Sequence, residues 1–85
     1  MDPITPGSTG AAVEDIQERL VKLGYTIKDD ERQNHTFGKS TARAVARFRL
    51  DHDLSLGEEV DASTWAIMVD EGYELGDRTL YLRLP

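Results

Sequence analysis

The chain has 85 residues and a formal net charge of −6, which argues against general affinity for nucleic acid or an anionic membrane, both gripped chiefly through Lys and Arg. Hydrophobic residues make up 39% and charged residues 31%, the balance of a folded domain, and so short a chain holds one modest core with no space for a buried active site. It contains no cysteine, so disulfides and thiolate metal sites are excluded while the redox compartment stays open.

Residues 1–9 read as an N-terminal tail punctuated by Pro3, Pro6, Gly7 and Ser8, with neither the basic start nor the apolar stretch of an export signal. A first helix is expected from Gly10, capped by Ser8 or Thr9, with Glu14 and Asp15 near its positive end. Val13, Ile16, Leu20 and Leu23 recur at steps of three and four, which is one face of a helix. Gly24 supplies a left-handed stop, and Tyr25 beyond it is placed to pack back on Leu20. Between Lys28 and His35 no apolar residue occurs, so residues 26–36 read as a solvated loop.

A second helix follows Phe37-Gly38, turns Thr41, Ala44, Val45 and Phe48 inward and fades near His52. Leu54, Leu56 and Gly57 lead to Val60, and Asp61 caps a third helix buried through Trp65, Met68 and Val69. Gly72-Tyr73 repeats the earlier Gly-Tyr stop. From Tyr73 to Pro85 apolar and polar residues alternate, as in a short strand or connector, with Leu80 and Leu82 available to pin it on the bundle. The first two helices also echo each other, Gly10 with Gly38, Ile16 with Ala44 and Leu20 with Phe48. So few matches fit ordinary amphipathic patterning as well as a true repeat.

No catalytic constellation is legible. A hydrolytic zinc site needs three protein ligands with a second shell, and the only histidines, His35 and His52, stand in no His-Glu-x-x-His frame. The pairs Asp29-Asp30, Glu58-Glu59 and Asp70-Glu71 lie in polar surroundings, where nothing would drive their pKa values apart for acid–base work. Neither a nucleophile elbow nor a phosphate loop or calcium loop appears, so no metal or cofactor is expected. Lys39, Arg43 and Arg47 form a basic stripe at steps of four, with Arg49 beside it. Like charges at that spacing repel, so the stripe is either a solvated face balanced by the acidic loops or a platform for anionic groups.

One frame runs through all three segments: Gly10-x2-Val13-x2-Ile16-Gln17-x2-Leu20-x2-Leu23-Gly24-Tyr25, then Phe37-Gly38-x2-Thr41-x2-Ala44-Val45-x2-Phe48, then Leu54-x5-Val60-x3-Thr64-Trp65-x2-Met68. It resembles the three-helix peptidoglycan-binding domain that many bacterial cell-wall hydrolases carry beside their catalytic domain. The resemblance implies an all-α, compact three-helix bundle over residues 10–75, with an extended C-terminal tail or connector over 76–85 like the one that leads from the first of two tandem modules to the second. It implies a non-catalytic, monomeric module that binds peptidoglycan through stem peptide or glycan. Its attached hydrolase would be an N-acetylmuramoyl-L-alanine amidase, and its place the cell wall or the extracellular space.

The same resemblance puts the site in a groove between the first two helices, using Tyr25, Asn34, His35, Thr36 and Arg49, with Lys39 and Arg43 at the rim. The chain departs from the family where Asn34-His35-Thr36 replaces an Asp-Gly, where Arg49 replaces a Gln, and where Gly57-Glu58 and Asp61 replace later turn glycines. Those departures, with the acidic surface and the lack of a leader, leave open a second reading. In it the fold is kept and a protein partner is docked, in the cytoplasm if no leader exists.

Overall fold

Val13, Ile16 and Leu20 are each at most 1% exposed, so the three-and-four spacing of α1 (Ala11–Lys22) does set the buried face. The computed structural model describes the backbone of residues 2–83 and the side chains of residues 2–72. Across from α1, α3 (Lys39–Asp51) buries Thr41, Ala44, Val45 and Phe48 as its pattern indicates. α4 (Ala62–Arg83) adds Thr64 and Met68. Ile27, Phe37 and Val60, from the connecting segments, complete the core.

Among the described residues four helices form, not three. The charged stretch expected as a loop contains α2 (Asp29–Asn34), which opens on Asp29, Asp30 and Glu31, acids that favour a helix N-terminus. No residue of α2 is buried, which is why apolar periodicity gave no sign of it.

Three helices end alike. After α1, the Tyr25 N–H donates to the Leu20 carbonyl at 3.0 Å and the Gly24 N–H to that of Val21 at 3.0 Å, a Schellman ending with Gly24 at φ +99°. After α2 the Thr36 N–H reaches the Glu31 carbonyl at 3.0 Å, and after α3 the Leu54 N–H reaches that of Arg49 at 2.9 Å. The left-handed positions there are His35, φ 51°, and Asp53, φ 56°, where a side chain makes the conformation less favourable than glycine would.

The first residues are laced into the bundle. Ile4 and Val60 exchange hydrogen bonds of 3.0 and 2.8 Å, and the Phe37 N–H donates to the Ser8 carbonyl at 2.9 Å. The Gly10 N–H donates to the His35 carbonyl at 3.1 Å. Gly10 itself, at φ +108°, takes the N-cap position expected of Ser8 or Thr9, without a side-chain cap.

Asp61 caps α4: its Oδ1 accepts from the Thr64 N–H at 2.9 Å and the Thr64 hydroxyl at 2.6 Å, and these bonds hold its carboxyl below the usual range. Two expectations for this helix are corrected. The buried stripe runs through Thr64 and Met68, so Trp65 is only half-buried, with the Arg19 guanidinium 5.0 Å above its ring, and Val69 is 37% exposed. Nor does the helix stop at Gly72: its backbone continues to Arg83 in place of the extended tail. No proline intervenes before Pro85, and Leu75, Thr79 and Leu82 recur at steps of four and three, a helical period that competes with the strand-like alternation. Leu80 and Leu82, expected to pin a tail, lie outside the residues whose side chains are described.

Gly72 offers a direct test of the continuous helix, since a Cβ there would approach nothing nearer than Arg19 Nη1 at 3.6 Å. Gly72→Ala should raise stability by about 0.5–1 kcal/mol, read as a higher urea midpoint. A lower midpoint would mean that the chain breaks at Gly72 after all.

Candidate functional site

α2 is positioned by one carboxylate. Glu31 accepts from the N–H groups of Gly38 at 3.0 Å, Ser40 at 2.9 Å and Thr41 at 2.9 Å, and from the Thr41 hydroxyl at 2.8 Å. These are the free donors at the start of α3, whose N-cap, Gly38, has no side chain to satisfy them. A Cβ on Gly38 would lie 2.6 Å from the Glu31 carboxyl carbon, so the glycine makes room for a cap delivered from α2. Burial pushes the Glu31 carboxyl up, but the hydrogen bonds from Ser40 and Thr41 outweigh it and hold the pKa at about 2 against an ordinary 4.5.

Gln17 completes the anchorage from α1. It is 2% exposed, and its Nε2 donates to the Glu31 carbonyl at 3.2 Å, the Thr36 carbonyl at 3.0 Å and Thr41 Oγ1 at 3.1 Å. α1, α2 and α3 thus meet in one polar knot.

Between α1 and α2 the knot leaves a cleft of about 460 Å³. Glu14, Gln17 and Glu18 form the α1 wall, and Asp29, Arg32, Gln33 and His35 the other. The contacts between its basic and acidic side chains among the described residues are long: Arg32 to Asp29 at 4.0 Å and His35 Nε2 to Glu14 at 3.8 Å. Carboxylates outnumber the one guanidinium, so the cleft is acidic. Two buried polar atoms in its lining, Gln17 Oε1 and His35 Nδ1, have no hydrogen-bond partner among the described residues, a condition rare in folded proteins.

Of the seven residues expected at the site, only His35 lines this cleft. Asn34 is exposed beside it, and Thr36 serves through its backbone carbonyl, which holds Gln17. Tyr25 faces α3: its hydroxyl donates to Asp51 at 2.7 Å, and its ring meets Phe48 edge-on at 5.9 Å. Burial and the Asp51 carboxylate push its pKa to about 12. Lys39 and Arg43 stand exposed on α3 outside the cleft lining, and Arg47 pairs with Asp51 at 3.2 Å.

Arg49 requires correction outright. It is 2% exposed and staples the 52–61 segment to α3, donating to the Ser55 carbonyl at 3.0 Å, the Glu59 carbonyl at 3.1 Å and the Thr64 hydroxyl at 2.7 Å. Glu59 and Asp61 add ionic contacts at 3.6 and 3.5 Å. A guanidinium so enclosed cannot meet a ligand in a surface groove.

Sequence reading missed Glu14, Gln17, Glu18, Asp29, Arg32 and Gln33. Gln17 alone gave a usable signal, because it is a polar residue on the buried face, four positions after Val13 and three before Leu20. Among the described residues no cluster of three or more His, Asp or Glu side chains could hold a metal ion.

The sequence model of a family described as "Putative peptidoglycan binding domain" matches residues 9–68. No curated protein matches the chain. Among solved structures, the SleB N-terminal domain is 28% identical with a TM-score of 0.73, over 82% of this chain and 92% of that one. A peptidoglycan-binding protein from Clostridioides difficile, crystallised with glutamine hydroxamate, is 28% identical with a TM-score of 0.71. There the match covers 79% of this chain and 40% of that one. A fused Zn-dependent amidase/peptidase/peptidoglycan-binding domain-containing protein from Clostridium acetobutylicum ATCC 824 is 31% identical with a TM-score of 0.70, over 79% of this chain and 28% of that one.

Two outcomes follow from the buried charges. Because the Glu31 pKa is depressed, its contribution to stability is complete above the unfolded value of 4.5 and is lost as pH falls from there towards 2. Glu31→Gln should lower the melting temperature at neutral pH and flatten the decline across that acid window; an unchanged acid slope would show that other carboxylates drive it. Arg49→Ala should cost about 3 kcal/mol in denaturant unfolding, since it removes one partner of a buried charge network. A variant of near-normal stability would return Arg49 to the list of free surface cations.

Proposed function

The chain belongs to the peptidoglycan-binding domain family, and on that premise we propose that it is a non-catalytic wall-binding module that holds an attached hydrolase, such as an amidase, on its insoluble substrate. Tethering of this kind raises the effective concentration of enzyme at the wall without any new catalytic contact. The observation that carries the reading is the family match over residues 9–68, which spans both walls of the cleft from Glu14 to His35. The fused amidase/peptidase relative supports the link to a hydrolase.

The ligand is held in the α1–α2 cleft. A concave, partly pre-formed site with a few convergent polar groups is the ordinary form of a small-ligand pocket, and here the convergent groups are Gln17, Arg32 and His35. A protein partner would instead use the edge of α3, where exposed Lys39 and Arg43 make no ion pair among the described residues.

His35 separates stability from binding. Glycine at this left-handed position should raise stability by about 0.5–1 kcal/mol, while His35→Gly should weaken co-sedimentation of the chain with purified sacculi. A gain in both measurements would remove His35 from the site. A correctly folded chain that fails to pellet with sacculi, yet is captured by a soluble protein through Lys39 and Arg43, would replace wall binding with protein docking.

A further inference from the structure

Gln17 is 2% exposed and lines the α1–α2 cleft. Its amide nitrogen is committed to three oxygens, and its Oε1 is buried with no donor among the described residues. A buried oxygen without a donor is destabilising, and an N–H group brought by a ligand would relieve it. Glu14, Glu18 and Asp29 line the same cleft, and among the described residues Arg32 is the only Lys or Arg in that lining. A neutral sugar would leave those carboxylates facing a partner that cannot neutralise them. An ammonium group would answer all of them, and Arg32 suits a planar carboxylate nearby.

We infer that the cleft recognises the free side-chain ammonium of the diamino acid in a stem peptide. Glu14 and Glu18 pair with that ammonium, Gln17 Oε1 accepts an N–H from the same residue, and Arg32 faces a carboxylate of the stem peptide. Cross-linking turns the ammonium into a neutral amide and so removes the ion pairs. The module then marks stem peptides whose amine has not been used as the acceptor of a cross-link. The inference rests on the wall-binding reading of the same cleft and narrows it to one ligand group.

The test uses calorimetric titration of the 85-residue chain with two soluble disaccharide–stem peptides, one with the diamino acid amine free and one with it N-acetylated. Acetylation should weaken binding by at least about tenfold. The double variant Glu14→Gln with Glu18→Gln should lose the preference for the free-amine peptide and bind the two peptides with similar affinity. Both side chains reach solvent, so the variant keeps its fold, which circular dichroism checks. Equal affinity for the two peptides overturns the ammonium assignment and leaves wall binding standing. Binding to sacculi but to neither peptide overturns it as well. Failure to bind either peptide or sacculi overturns the wall-binding reading itself.

Discussion

Glu31 holds four donors at the first turn of α3, while the helix that carries it buries none of its own six residues. α2 therefore has no apolar reason to lie where it does; its position depends on this charge-assisted cap and on the Gln17 amide behind it. The gain runs in both directions. The start of α3 has its free N–H groups satisfied, with a negative charge at the positive end of the helix, and α2 is fixed against α1 at the spacing that leaves a cleft. Gly38 is the steric condition for the arrangement, since any side chain there would collide with the carboxylate.

The bundle has a second polar anchor of the same kind at its other end. Arg49 joins α3 to the segment before α4 through donors spent on backbone carbonyls and hydroxyls. In a domain this small, a core built from α1, α3 and α4 is limited, and two buried polar knots take over the fastening of segments that carry few apolar side chains. The loops that an apolar core would leave loose are thereby given single positions.

The cleft is where this economy is broken. Elsewhere among the described residues the buried polar side chains are matched with partners, as at Thr41, Thr64 and Arg49, whereas Gln17 Oε1 and His35 Nδ1 find none there. His35 also takes a left-handed backbone that α1 reaches with Gly24. Two unpartnered buried atoms and one costly backbone position thus meet in the cleft lining, while Asp53 carries the same left-handed backbone outside it.

Much of the bundle was legible in the residues themselves. The faces of α1 and α3, the Gly24 stop, the Asp61 cap and the burial of Phe37, Phe48 and Met68 follow from periodicity and from turn chemistry, which act between near neighbours in sequence. The chain could not by itself reveal α2 or the half-exposure of Trp65, because each depends on what lies across the bundle, whereas the continuation of α4 past Gly72 was present as a helical period that the strand-like alternation obscured. The site was the least legible part. Tyr25 and Arg49 look like exposed recognition residues in sequence, and Asp51, Ser55, Glu59 and Thr64 claim them only once the helices pack. Glu14 and Glu18 look like ordinary solvated charge until α2 is set opposite them. Local sequence determined which residues turn inward and where α1 and α3 stop; tertiary structure decided which polar groups find partners and which, among the described residues, are left without one, because a hydrogen bond between Gln17 and Thr41 exists only after distant segments have met.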